Sequence, residues 1–531
     1  MFFKESSINN LNNKLESIIS ELLNYIGLRQ DILKAFAWFF AIALLFYFSA
    51  LAPFIISYDS EVAAFRESSR DWVVQGRWTT AFIESFIFPS LPIYFLPTAI
   101  FCFFSATSYM LVIAAHNLSI KWNTYVAFPF FCAFPVWGYL TAYNSNIPSL
   151  SFGLFCTSLA ACLFRQTIIT AIKQQSTLLS ARTILSMALQ ILLVATAIGA
   201  YQSFLFLFVC FGLGVIILTI ISNNEVIKLR ALWKILIILV FVSILSILLY
   251  TIILYSVLYL IHENLQYIDS YYRPNTLINN PMGVINNTLK NVWNMYSAPS
   301  GLPDTSQSAA PILIALGFLA LVTYKQPPQK IGLKITILGL ATLCLLTPFT
   351  LDLIYANPLP NRTYVGVSYV VWLFTIISLT NRLYVVRYAA VFAVGIGIFQ
   401  VLYFSSLFAT TLYIKQNHDL TLAASIYDRI ASVHENFDLN KIYPIDFFGK
   451  KSISAPYSIA NGSFFNLLDG ADSRQRMWKF MRLIGFNNLS LLSNEDRIKL
   501  ISHYENMPSW PARGSVKVVD GVTLIKLSKE P

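Results

Sequence analysis

Residues 57–78 read SYDSEVAAFRESSRDWVVQGRW, and they follow directly on a long apolar run. Asp59, Glu61, Glu67 and Asp71 are interleaved there with Arg66, Arg70 and Arg77. A carboxylate held against a hydroxyl can take its proton as that oxygen attacks. A guanidinium grips a phosphate with a two-pronged hydrogen bond. Acids and arginines mixed at this density suit a group-transfer reaction on an anionic substrate. The alternative is a solvated loop tied by local ion pairs, which are common and weak. For Glu67, Arg70 and Asp71 the two explanations stand level.

The elements that position this stretch follow from composition. Of 531 residues, 56% are hydrophobic and only 12% are charged, where soluble domains carry about a quarter. Several apolar runs reach the roughly 20 residues that a helix needs to cross a bilayer. The runs are continuous rather than alternating, which excludes a β-barrel. The fold class expected is therefore a polytopic α-helical membrane protein. About eleven spans are predicted, at 33–57, 89–115, 124–142, 147–164, 183–200, 202–222, 235–261, 309–324, 335–355, 363–380 and 388–412. Residues 1–32 are polar with leucines and isoleucines at helical spacing. They suit an amphipathic helix on the membrane face or one packed on the protein's own loops.

Lysines and arginines crowd one set of loops, including Lys121, Arg165, Lys228, Lys234, Lys325 and Arg382. The opposite set is nearly bare. The positive-inside rule then places the N-terminus in the cytoplasm, and an odd span count places residues 413–531 outside. Loops 58–88 and 262–308 face the same way. The tail ends in GSVKVVDGVTLIKLS (514–528), two alternating runs around Asp520-Gly521, the pair favoured in a two-residue hairpin. A mixed α/β extracytoplasmic domain is expected over 413–531.

That frame sharpens the opening stretch. Asp59 and Glu61 sit just past a helix C-terminus, where the helix dipole opposes an acid. Arg66, Arg70 and Arg77 lie on the side where arginine is disfavoured. An anionic substrate at the outer face accounts for both, most directly for Asp59 and Arg77. Elsewhere, Asp269 and Arg273 lie among tyrosines in IDSYYRPN (268–275), as a sugar or phosphate site or as an interfacial belt. Arg362 in NPLPNRTY (357–364) suits phosphate or simply reaches the interface. Asp352 near a span end is a functional candidate or a wet helix end. Trp72, Trp78, Phe464 and Phe465 could stack on sugars or belong to core and belt. All six cysteines fall in apolar runs, so disulfides are not expected, and neither spacing nor clustering suggests a metal or other cofactor. The net charge of +11 is spread over short loops with no nucleic-acid motif. No phosphate-binding glycine loop is present, so ATP-driven transport is unsupported.

An acid just beyond the first span, on the extracytoplasmic side of a polytopic chain, resembles the GT-C superfamily of membrane glycosyltransferases. Residues 57–78 resemble the first-loop signature of bacterial Gtr-type O-antigen glucosyltransferases, the serotype-converting group. IGAYQSFL (198–205), residues 453–486 and MPSWPARGSVKVVDGVTLIKL (507–527) resemble a core segment, the middle of the tail and its ending in that family. The likeness runs from about residue 30 to the C-terminus, departing where Trp510 stands for a common tyrosine.

What the resemblance implies is an inverting transferase. It would move glucose from undecaprenyl-phosphate-glucose to the O-antigen of lipopolysaccharide at the periplasmic face of the inner membrane. Asp59 and Glu61 would be the catalytic-loop carboxylates, with either as base. Arg66, Arg70, Arg77, Trp78, Arg273 and Arg362 would bind substrate. A donor synthase and a flippase would supply the donor. The rival classes are a flippase, which would favour mid-span charges and paired repeats, and an O-antigen polymerase working through its later loops.

Overall fold

The computed structural model describes residues 30–51, 55–56, 59–66, 68–88, 95–173, 181–222, 229–265, 272–298, 309–324, 331–451, 463–466 and 471–529. Most of the segment 1–32, with Glu67 and Asp269, lies outside them. Among the described residues, seven helices are long and apolar enough to cross a membrane, and Ala309–Val322 and Gly366–Leu379 are shorter apolar helices. In lipid each backbone N–H and C=O must be satisfied within the chain, which leaves helices as the way across.

Burial sorts these helices. Every residue of Gly366–Leu379 is buried, so this helix runs through the middle of the bundle. Leu229–Ile261 lies at its edge. Ile237, Phe241, Ile244, Leu248 and Ile252 recur three or four residues apart and are exposed, while Leu239, Val242, Ser246 and Tyr250 are buried. A face that apolar is at ease against acyl chains, not water.

The run anticipated over 124–142 is a broken helix, Trp122–Cys132 followed by Pro135–Thr141. Pro135 drives Phe134 out of the helical region, to ψ 144. The carbonyls so released find side-chain donors. Tyr47 Oη donates to Cys132 O (2.9 Å) and Trp137 Nε1 to Phe131 O (2.7 Å).

The last apolar helix, Tyr384–Val433, is 50 residues long, or about 75 Å, against roughly 30 Å of hydrocarbon. Residue 413, expected to open the tail domain, is therefore inside a continuous helix. Its apolar repeat does not stop at the membrane. Leu422, Ala423, Ile426 and Ile430 pass into a second core with Tyr443, Ile445, Phe447 and Ile525.

That core covers a four-stranded sheet of order β2-β1-β4-β3, with β1 Tyr443–Phe448, β2 Leu489–Leu491, β3 Val516–Val519 and β4 Val522–Lys526. β1 pairs in parallel with β2 and β4, and β3 with β4 forms an antiparallel hairpin. Its turn is Asp520-Gly521 with φ of 49° and 78°, the two positive values of a type I′ turn. Asp446, fully buried on β1, accepts from Arg474, from Arg497 Nε (3.1 Å) and from Tyr504 Oη (2.9 Å). The network clamps the helix Ala471–Leu483 to one side of the sheet and residues 494–504 to the other.

Truncating Asp446 to alanine leaves two guanidinium groups without their buried counter-charge. The expected cost is about 3–5 kcal/mol, seen as proteolytic nicking between 434 and 529 while the membrane helices stay intact. Unchanged resistance to protease would show that apolar packing alone holds the sheet.

Candidate functional site

Asp59 caps the four-residue helix Ser60–Ala63 from a left-handed conformation, φ 70°. Aspartate tolerates that region better than most residues. The turn aims the Asp59 and Glu61 side chains at the tail. Arg476, on the helix Ala471–Leu483, pairs with Asp59 Oδ1 and brings Nε to 3.0 Å from Glu61 Oε1. The Asp59 side chain stays 28% exposed, whereas that of Glu61 is wholly buried. Burial pushes the Glu61 carboxyl up to about 8, against the pull of backbone amides and of Lys479. Arg482 stacks on Phe65, 4.5 Å from the ring centre. Three cations of one helix thus lie along the acid loop.

Arg66 lies against a carboxylate. Its guanidinium, 6% exposed, meets both oxygens of Glu84 at 2.9 and 2.7 Å. Glu84 also accepts from Trp72 Nε1 at 2.5 Å. Trp72 is a buried platform with Arg66 on it at 4.5 Å and Arg77 at 5.6 Å. Arg66, expected to bind substrate, is thus held by the buried Glu84. Trp72 belongs to the core in the same way, as do Phe464 and Phe465 in the tail.

Gly76-Arg77-Trp78 is fixed from several directions. Tyr250 Oη donates to Gly76 O (2.9 Å), Gln202 Nε2 to Gln75 O (3.0 Å) and Thr79 Oγ1 to Thr196 O (2.8 Å). Gly199 lets Trp78 come close, since a Cβ there would sit 2.5 Å from the indole. Trp78, expected to bind substrate, thus packs closely on Gly199. This contact joins the segment IGAYQSFL to the acid loop.

Tyr201 stacks on Arg77, 5.1 Å away, and both line an open-mouthed pocket of about 550 Å³, open solvent included. Its other walls include Gln202, Ser203, Leu351, Tyr355, Leu359 and Arg362. Arg77 and Arg362, far apart in sequence, therefore converge on one cavity. Arg362 is oriented by Tyr143, which accepts its hydrogen bond and lies under it at 4.9 Å. The loop carrying Arg362 is pinned by Asp352, which is 1% exposed. Asp352 accepts from Tyr364 Oη (2.7 Å), Asn291 Nδ2 (2.7 Å) and Leu359 N (3.2 Å). Residues 144–146, next to Tyr143, pack against Ser60–Ala63, so acid loop and pocket adjoin.

Arg70 and Arg273 are exposed and line neither feature. Arg273 touches the site only through its backbone, N to Tyr355 O at 3.1 Å. Among the described residues no group of three His, Cys, Asp or Glu is placed to hold a metal. A second pocket of about 670 Å³ lies between Phe46, Ile55, Gly138, Phe404 and Leu412, with Asn144 on its wall. It is mostly apolar and neighbours the acid loop.

Three site residues were not singled out from sequence: Glu84, Arg476 and Lys479. Glu84 is a lone acid in the apolar run FIESFIF. Arg476, Lys479 and Arg482 recur every three residues on a helix, which is a legible cationic stripe, but nothing in the sequence names its partner.

Arg66→Ala strands the Glu84 carboxylate, and a loss of about 3–5 kcal/mol is expected. It is read as a lowered thermal transition of the detergent-purified protein. A stable variant with weakened phosphate binding would instead return Arg66 to the substrate.

Comparison with known families places this arrangement. The family profile described as Glucosyl transferase GtrII matches residues 48–379, from the acid loop through the Arg362 loop. No curated protein and no solved structure matches the chain significantly. The matched span covers well over half of the chain, so the protein belongs to the glucosyl transferase GtrII family and is a glycosyltransferase with long apolar helices suited to a membrane.

Proposed function

We propose that the protein transfers glucose from a polyprenyl-phosphate donor to a glycan acceptor at the extracytoplasmic membrane face. For a bacterial inner membrane this means undecaprenyl-phosphate-glucose and the O-antigen of lipopolysaccharide. The observation that carries the proposal is the convergence of Arg77 and Arg362 on one pocket beside the loop of Asp59 and Glu61.

The phosphate of the donor sits between Arg77 and Arg362, and its prenyl chain runs out among apolar helices, for which the cavity near Phe404 and Leu412 has the right lining. Asp59, the acid with access to solvent, takes the proton of the acceptor hydroxyl. The freed oxygen attacks the anomeric carbon from the face opposite the phosphate. The new C–O bond forms as the bond to the phosphate oxygen breaks, and the anomeric configuration inverts. Prenyl phosphate departs with the bonding pair. The two guanidinium groups stabilise its growing charge, so no strong general acid is required. Glu61 is too deeply buried to meet an acceptor directly and acts beside Asp59. A tail domain on the same face would meet the acceptor glycan.

The test uses membranes containing wild type or variants at equal abundance, with radiolabelled polyprenyl-phosphate glucose and lipopolysaccharide. Asp59→Asn is expected to abolish transfer to the glycan. Arg77→Ala and Arg362→Ala are each expected to raise the donor KM about ten- to a hundredfold, as for loss of a hydrogen bond to a charged group. Movement of lipid-linked sugar between leaflets without transfer would favour a flippase.

A pH profile separates the acids. The folded carboxyl of Glu61 lies near 8, so it is neutral below that pH and ionised above it. Once ionised, it adds a second negative charge beside Asp59 and makes Asp59 the stronger base. The rate is expected to rise through about pH 8 in wild type and to lose that rise in Glu61→Gln. A rise that survives in Glu61→Gln would assign it to another group.

A further inference from the structure

We propose that Arg476 is a positioning residue of the active site, supplied by the tail, and that the membrane-embedded part of the enzyme is catalytically incomplete without it. This rests on the glucosyltransferase function proposed above, and it concerns a residue beyond the 48–379 span shared with the family.

The first support is geometric. Asp59 and Glu61 are two carboxyl groups two residues apart, and one guanidinium reaches both. A cation beside a carboxylate favours its ionised form, and Arg476 does this for Asp59, the acid with access to solvent, while Glu61 keeps its proton below about pH 8. Arg476 itself is only 15% exposed, so it is held in place and not sampling solvent.

The second support is how the helix Ala471–Leu483 is mounted. Residues two apart on a helix point about 200° from each other. Arg474 therefore turns to the sheet, where it pairs with Asp446, while Arg476 turns to the acid loop. The sheet fixes one face of the helix, and the other face delivers the cation. Arg482 on Phe65 adds a further contact to the same loop.

Among the described residues, two cations of the tail helix lie near the two acids. From the tail helix come Arg476 and Lys479, and Lys479 also lies in the field of Asp71 and Arg66. Residues 144–146, packed on the other side of Ser60–Ala63, are Asn, Ser and Asn and bring no titratable group. Removing Arg476 thus removes the one cation that pairs with both carboxylates among the described residues. The base then holds its proton to higher pH, and its carboxyl loses its fixed orientation.

The experiment measures glucose transfer by the purified full-length protein in proteoliposomes, against pH, for wild type, Arg476→Ala and Arg476→Lys. In Arg476→Ala, kcat is expected to fall about tenfold or more, with the donor KM nearly unchanged and the acidic limb of the rate shifted up by about one pH unit or more. Arg476→Lys, which keeps the charge, is expected to return the limb towards wild type and recover part of the rate. If Arg476→Ala does not fold, a limb in Arg476→Lys displaced as far as in charge-free Arg476→Gln overturns the proposal. So does an Arg476→Ala enzyme with an unmoved limb, since that is a merely structural loss. A rise confined to the donor KM also overturns it, by making Arg476 a phosphate ligand. Wild type that transfers no glucose overturns the underlying function, whatever the variants do.

Discussion

A carboxylate without access to water, two residues from a second one, sets the terms for this structure. Glu61 cannot be solvated where it stands, so it keeps its proton up to about pH 8 and can be charged only next to a cation. That cation is Arg476, from a part of the chain more than four hundred residues away. The acid loop and the tail must therefore assemble together. The same need explains the two-faced helix Ala471–Leu483. Asp446 holds it from behind so that its other side can be presented to Asp59 and Glu61. The 50-residue helix Tyr384–Val433 supplies the rigid strut, one half in the bundle core and the other half in the core of the sheet.

The arginine pocket is built on the same logic with different partners. Arg77 is kept in place by aromatic faces, Trp72 and Tyr201, and Arg362 by Tyr143. Aromatic rings orient a guanidinium without neutralising it. Arg66 shows the contrast. It shares the Trp72 platform, yet both oxygens of Glu84 accept from its Nη1 and hold it in the scaffold. Asp352 supports Arg362 at one remove, by tying Tyr364, Asn291 and the backbone of Leu359 into the loop that carries it. Donors and charges fixed before substrate arrives need no rearrangement during the reaction, which is where such sites derive most of their rate.

The sequence by itself determined the apolar helices, because continuous runs in lipid leave the backbone no other way to satisfy its hydrogen bonds. It determined the terminal hairpin, because Asp520-Gly521 between alternating runs accepts two positive φ values. It also pointed to Asp59, Glu61, Arg77 and Arg362, since charges set against a membrane need a reason. Only the tertiary structure decided what each charge meets. An arginine reads the same in sequence whether it ends against Glu84, like Arg66, on an aromatic face in an open pocket, like Arg77, or exposed, like Arg273. Trp72, Phe464 and Phe465 went to the core for a similar reason, since an aromatic suits a sugar and an interior equally. Arg476 was out of reach of any local pattern. Hydrophobic periodicity is a property of neighbouring residues, but the pairing of one cation with two distant carboxylates is created only when the chain has folded back on itself.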